Sequence, residues 1–292
     1  MGFGKYRLWG QALWFALTNG YARGFMSGRI YQGPLKKFCA PGLNCYSCPG
    51  AYLSCPIGSL QAVLDSGQYR ASLYVFGFMA AFGVLLGRFV CGWLCPFGLV
   101  QDLLHKIPVF RKRKNLPGHR VLRYGKYAVL LFLVILLPLT VTNAFGMGEP
   151  WFCKYFCPSG TLLAGLPLLA ANENLRSAIG FLFGWKFLIL VSLLLLSVKF
   201  YRPFCKYLCP LGAFYGFFNR IALYRFEVDA EKCVRCGKCR EVCGMDIKTW
   251  ETPNSMECIR CGDCKQACPT GAITSGFDEL LAAAKARRME KA

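Results

Sequence analysis

Cys233-Val-Arg-Cys236-Gly-Lys-Cys239-Arg-Glu-Val-Cys243 is followed, after a short spacer, by Cys258-Ile-Arg-Cys261-Gly-Asp-Cys264-Lys-Gln-Ala-Cys268-Pro269. The spacing C-x2-C-x2-C-x3-C occurs twice, and it decides the reading of the last third of the chain. Three closely spaced thiolates wrap one face of a [4Fe-4S] cubane, and the fourth ligand comes from the other run. One cluster is therefore expected on Cys233, Cys236, Cys239 and Cys268, the other on Cys258, Cys261, Cys264 and Cys243. A pair of zinc knuckles is the plain alternative, but zinc usually separates its two ligand pairs by a longer loop.

Working outward, the composition changes. Of 292 residues 55% are hydrophobic, mean hydropathy is +0.36, and the apolar residues fall in long runs. That suits a membrane-embedded body better than a soluble globule. A helix needs about 20 mostly apolar residues to cross a bilayer. Leu8 to Met26, Ala71 to Val90, Tyr127 to Phe145 and Ile179 to Val198 come close, the first interrupted by Gln11, Asn19 and Arg23. Gly160 to Ala171 is too short and reads as re-entrant or interfacial. The expected fold is an α-helical polytopic membrane protein of about four spans with a parallel internal repeat, carrying a C-terminal α+β two-cluster domain. Its parts are a membrane domain (1–204), an inner-face motif and linker (205–220), the two-cluster domain (221–276) and a helical tail (277–292).

A net charge of +20 would suit nucleic acid, so its location must decide. Lys106, Arg111, Lys112, Arg113, Lys114, Arg120, Arg123 and Lys126 crowd one loop between apolar segments, the signature of a cytoplasmic loop. Both termini are then expected in the cytoplasm, in a cell-membrane protein that binds no nucleic acid. Arg29, Lys36, Lys37 and Arg70 fall on the outer side and break the rule. The N-terminus lacks a compact signal-peptide core, so it is expected to be retained. Arg88 and Lys186, at membrane depth, are read as snorkelling to the nearer interface.

Disulfides would suit a short secreted chain, whereas these 18 cysteines cluster in repeated spacings. The tetrad Cys-Pro-x-Gly begins at Cys55, Cys95, Cys157, Cys209 and Cys268. The first four alternate outer, inner, outer, inner along the spans, which implies a parallel duplication about a pseudo-two-fold along the membrane normal. Cys91 and Cys95, like Cys205 and Cys209, are four apart and share one face of a helical turn. Facing one another, they offer four thiolates for an inner-face cluster; packed, reduced cysteines are the alternative. On the outer side Cys48, Cys55, Cys153 and Cys157 are the simplest set for a further cluster, leaving Cys39 and Cys45 as alternative ligands or a disulfide. Inner and outer sites are expected about 30 Å apart, across the bilayer core.

Ile221 to Gly276 resembles bacterial two-cluster ferredoxins, with Gly244 where a proline commonly follows the fourth cysteine. The motifs Cys91-Gly-Trp-Leu-Cys-Pro and Cys205-Lys-Tyr-Leu-Cys-Pro, with the doubled spacing, resemble polyferredoxin-like membrane proteins. These are of the type found as the quinol-oxidising subunit of periplasmic nitrate reductase systems and in the nitrous oxide reductase regulator. The resemblance covers about Ala71 to Gly276. It implies four membrane helices, cytoplasmic termini and electron traffic between cytoplasmic donors or the quinone pool and a membrane or extracytoplasmic partner. Lys232, Arg235, Lys238, Arg240, Lys248 and Lys265 surround the ferredoxin cysteines and suit an acidic donor such as a soluble ferredoxin or flavodoxin. Only His105 and His119 are present, and no G-x-G-x-x-G or phosphate loop occurs, so no haem, flavin or nucleotide is expected. No catalytic nucleophile and base stand out. The chain reads as an electron-transfer component, with an assembly factor or redox-sensing regulator as the alternatives.

Overall fold

The computed structural model describes residues 3–66, 69–141, 148–177, 179–276 and 278. The expected tail, 277–292, lies outside them apart from Asp278. The architecture is mostly helical, with a two-stranded antiparallel sheet in the C-terminal part.

Two helices among the described residues are long and apolar enough to cross a bilayer: His119–Thr140, with mean hydropathy 1.8, and Phe181–Lys199, with 2.3. At about 1.5 Å per residue they match a hydrocarbon core of about 30 Å. The first contains Pro138 and winds as a π-helix over Val129–Leu136. Proline has no N–H to give, which frees the Leu133 carbonyl one π-turn earlier, and Gln61 Nε2 donates to it at 2.9 Å. The expected span end at Phe145 falls outside the described residues.

The other two expected spans are broken. Phe3–Thr18 stops where Thr18 Oγ1 turns back to the Trp14 carbonyl at 2.8 Å, and a short helix, Ala22–Ser27, follows. Tyr69–Leu86 ends at Gly87, whose φ of +54° is left-handed, so Phe89–Trp93 is a separate helix. Its apolar part, Leu73–Leu86, and the expected short helix, seen as Pro158–Ala171, are both shorter than a full span.

The burial pattern is inverted relative to a soluble bundle. On Phe3–Thr18 the stripe Trp9, Leu13 and Leu17 is exposed while Arg7 and Gln11 are buried. Leu131, Phe132, Phe181, Leu188 and Leu195 also point outward, whereas Arg88, Gln101, Asp102, Lys126 and Arg202 lie inside. Arg88 therefore does not snorkel. It is fully buried and donates to Glu257, to the Met256 carbonyl and to the Cys205 carbonyl. Lys186 likewise turns inward, to the Cys153 carbonyl at 3.1 Å.

The C-terminal unit packs on this body rather than hanging from it. Its strands, Phe226–Val228 and Ile273–Ser275, pair antiparallel with Phe226 opposite Ser275, and short helices Lys238–Val242 and Asp263–Ala267 pack together. Segment Ser255 to Arg260 is the docking edge. Asn219 Nδ2 donates to the Ser255 and Cys258 carbonyls at 2.9 and 2.7 Å, Trp93 Nε1 to the Arg260 carbonyl, and Arg260 Nη1 to the Leu86 carbonyl. The basic loop also clasps the unit: Lys114 Nζ donates to the Arg240 and Glu241 carbonyls, and Asn115 Nδ2 to Asp246.

Candidate metal centres

Each half of the ferredoxin-like unit makes the same turn. Arg235 and Arg260, each just before the second cysteine of its run, are left-handed (φ 50° and 53°), as are Gly237 and Gly262 just after it. Such turns aim successive N–H groups into a concavity that suits an anionic cluster. Cys233, Cys236, Cys239 and Cys268 line one small cavity, and Cys243, Cys258, Cys261 and Cys264 line another. The structure thus brings together three cysteines of one run with the fourth of the other, twice. Cys236 is exposed and Cys264 is buried. Burial pushes Cys258 and Cys264 up to about 11 and about 12. Cys268, against burial, is held below its ordinary value by the Thr270 hydroxyl and nearby amides. The surrounding basic residues are partly neutralised: Lys232 pairs with Asp229, Arg240 with Asp246, Lys248 with Glu251 and Lys265 with Asp278.

Within the body, the tetrad Cys-Pro-x-Gly is a helix start. Cys95, Cys157 and Cys209 are N-caps with proline at the first helical turn, and Pro56–Ser66 begins in the same way behind Cys55. The Gly160 and Gly212 amides donate to the Cys157 and Cys209 sulfurs at 3.4 and 3.3 Å. A sulfur there faces the positive end of the helix, which favours a thiolate. The fifth tetrad, at Cys268, differs: Gly271 is left-handed (φ +64°) and a strand follows. The two cysteines of each inner pair do not share one continuous turn. Cys91 and Cys205 lie in the middle of the short helices Phe89–Trp93 and Pro203–Tyr207, and Cys95 and Cys209 start the next ones.

Cys91, Cys95, Cys205 and Cys209 are nonetheless gathered in one buried group, each at most 6% exposed. The arrangement is reciprocal. Arg88 and Arg202 each stand three residues before the first cysteine of their own motif. Arg88 Nη2 donates to the Cys205 carbonyl at 3.2 Å and Arg202 Nη1 to the Cys91 carbonyl at 2.6 Å. A Cβ on Gly212 or Gly98 would stand 3.3 Å from these guanidinium nitrogens, so glycine keeps the cradle open. Each arginine belongs to a triad of two cations and one carboxylate, Arg88–Glu257–Lys126 and Arg202–Asp102–Arg7. Each triad leaves one positive charge, and the pair suits the net charge of roughly −2 on a cubane with four thiolates. Burial pushes Cys95 up to about 12 and raises Cys205 and Cys209, so these thiols stay neutral until a metal takes the proton's place.

On the other side, Cys45, Cys55, Cys153 and Cys157 line a cavity of about 400 Å³ together with Leu43, Gly160 and Lys186. Cys45 occupies the place expected of Cys48, which is buried and does not line the cavity. Cys39 also lies outside it, and all eighteen cysteines are unbridged. Nor do the inner and outer groups stand a bilayer's thickness apart. The Cys39–Cys55 segment folds inward until a Cβ on Gly42 would come 2.7 Å from the Leu94 carbonyl and 3.0 Å from Cys95 Cα. The Leu43 amide reaches the Cys95 sulfur. The buried Tyr215, whose hydroxyl donates to the Pro41 carbonyl at 2.9 Å, is close enough to feel Cys91 and Cys95 on one side and Cys39 and Cys55 on the other.

The thiols fit iron–sulfur clusters better than single ions. Tetrahedral zinc would draw sulfurs to within about 3.8 Å of one another. Among the described residues no three metal-binding side chains come together closely enough to hold one ion. The ferredoxin and outer groups instead line cavities, with backbone amides directed at Cys157 and Cys268. This is the construction of a protein that carries several [4Fe-4S] clusters. One 4Fe-4S binding domain family matches the chain three times, over residues 71–117, 127–171 and 181–227, and a second matches twice, over 226–249 and 252–274. The uncharacterized protein MJ0749 of Methanocaldococcus jannaschii is 30% identical over 214 residues, 71% of this chain and 72% of that protein. The methylamine utilization ferredoxin-type protein MauN of Paracoccus denitrificans is 31% identical over 195 residues, 65% of this chain and 61% of that one. The ferredoxin-type protein NapH of Haemophilus influenzae is 30% identical over 174 residues, 56% and 49% of the two chains. No solved structure matches. The chain belongs to the polyferredoxin family that includes NapH and NosR. It is a ferredoxin-type electron-transport protein with multiple [4Fe-4S] clusters, at least two.

Proposed function

We propose that the chain is a multi-pass membrane conduit for single electrons, with the ferredoxin unit and both termini on the cytoplasmic side. His119–Thr140 and Phe181–Lys199 span the bilayer, and the broken segments at 3–27 and 69–93 complete a four-span body. The inverted burial pattern supports this: apolar stripes face outward while arginines, lysines and carboxylates face the interior. The clasp between the basic loop and the ferredoxin unit supports one side for both.

Bound clusters supply one-electron storage at modest reorganisation, and this chain's residues decide where they sit and how closely. Cys233, Cys236, Cys239 and Cys268 would hold the outermost, and Cys243, Cys258, Cys261 and Cys264 the second. Cys91, Cys95, Cys205 and Cys209 would hold a third, with Arg88 and Arg202 balancing its charge. The observation that carries the reading is the joint between the second and third groups. Ile259, beside Cys258, packs its carbonyl on Gly92, beside Cys91, where a Cβ would come within 2.3 Å. The two cysteine-bearing segments meet backbone to backbone there.

The exposed Cys236 end would meet an acidic ferredoxin or flavodoxin, and a quinone or an extracytoplasmic redox protein would take or give the electron at the far side. Anaerobic protein reduced in excess should pass many equivalents to a quinone at a steady rate. Oxidation of a single equivalent per molecule of client would instead mark an assembly factor and remove the conduit.

A further inference from the structure

The outer cysteine group is built on the plan of the inner one. In the inner group two Cys-Pro-x-Gly helix starts, at Cys95 and Cys209, each add the cysteine four residues earlier. In the outer group the helix starts at Cys55 and Cys157 bring Pro56–Ser66 and Pro158–Ala171 to one cavity, and Cys153 stands four before Cys157. The position four before Cys55 is Ala51, which has no thiol. Cys45 lines the cavity instead, so the set of four is complete.

We propose that Cys45, Cys55, Cys153 and Cys157 form a fourth [4Fe-4S] site, with Cys45 standing in for the ligand that Ala51 cannot supply. The inference rests on the reading of the chain as an iron–sulfur electron carrier. Gly160 is the floor of the site. A Cβ there would lie 3.7 Å from the Cys45 sulfur and 3.8 Å from the Cys157 sulfur, and its own amide donates to Cys157. The Gly58 amide acts on Cys55, and the Ser47 and Cys48 amides act on Cys45. Lys186 supplies a cation on the cavity wall. Four thiols surrender four protons on ligation, and the amides, the two helix starts and Lys186 then face the negative charge that results. Leu43 forms the partition from the inner group: its side chain lines this cavity, its amide reaches the Cys95 sulfur, and its carbonyl accepts from Ser159 Oγ at 3.5 Å.

The test is iron and acid-labile sulfide per full-length chain, purified without air, with paramagnetic resonance of the reduced protein. Wild type should hold about sixteen irons, and Cys45→Ser or Cys157→Ser should lose about four while the ferredoxin signals stay. Cys48→Ser and Cys39→Ser should lose none. Ferredoxin signals at wild-type strength in Cys45→Ser and Cys157→Ser separate ligand loss from misfolding. Wild-type iron in Cys45→Ser, a four-iron loss in Cys48→Ser, or zinc in the outer site overturns the proposal. A wild-type count of about twelve that no outer variant changes sinks this site alone, whereas about eight removes the inner one with it.

Discussion

Replacing Glu257 by glutamine should undock the ferredoxin unit from the membrane body. The Glu257 carboxylate accepts from Lys126 Nζ at 2.6 Å and from Arg88 Nη1 at 3.1 Å, and both cationic side chains are 0% exposed. Glutamine keeps the volume and removes the charge. Arg88 retains the Met256 and Cys205 carbonyls, and Lys126 retains the Tyr127 ring, 5.1 Å from its Nζ, but neither replaces an anion. Breaking a buried pair by removing one partner costs about 3–5 kcal/mol. If the loss falls on docking, the open population rises from about a hundredfold to a few-thousandfold. Hydrogen exchange reads this directly at residues 255–260, where the Cys258 amide is tied to the Ser255 carbonyl at 2.9 Å. Lys126→Met added to Glu257→Gln should restore part of the protection by removing the stranded cation. Glu251→Gln, in an exposed pair with Lys248, should shift exchange by under about 1 kcal/mol. Wild-type protection of 255–260 in Glu257→Gln would refute the reasoning.

Asp102→Asn should destabilise the body by about 3–5 kcal/mol, read as a lower melting temperature, because Arg202 and Arg7 then share no carboxylate. Although burial pushes Asp102 up, Arg202 and Arg7 hold it below its ordinary 3.8. A depressed acid stabilises the fold fully above its unfolded pKa and loses that contribution as pH falls through the folded value, so melts from pH 7 downward should separate wild type from Asp102→Asn only above that range. Gly92→Ala should weaken docking, since its Cβ would meet the Ile259 carbonyl at 2.3 Å; unaltered exchange at 255–260 would count against that joint. Gly42→Ala should cost about 1–3 kcal/mol of stability by pushing the partition off Leu94 and Cys95. It should also weaken the magnetic interaction between inner and outer sites in the reduced protein.

The ferredoxin groups were legible because their ligands are local in sequence and the spacing itself fixes the wrap. The pairing of Cys91 and Cys95 with Cys205 and Cys209 was legible through the repeated motif. The choice of Cys45 over Cys48 was not, because it depends on how an irregular loop folds over Gly160. Nor was the inward fold of Gly42 against Cys95, a close approach that only a glycine hints at. The breaks within two of the expected spans were not legible, because a hydropathy run does not show where a helix stops. Hydropathy treats Arg88 and Asn19 as blemishes in a run, while Arg88 turns toward Glu257 and Asn19 ends a helix. The ion triads join residues 95 to 169 positions apart, so no local pattern carried them. The Arg-x-x-Cys-x3-Cys-Pro repeat at Arg88 and Arg202 was the available signal.

The cysteine groups differ in how open their most exposed members are. Cys236 is open to solvent, Cys45 and Cys153 are half-covered, and the four around Arg88 and Arg202 are sealed. Corrosion should therefore begin at the open groups. With clusters in every group, air or a chelator should strip the ferredoxin edge and the far cavity first and reach the sealed centre last.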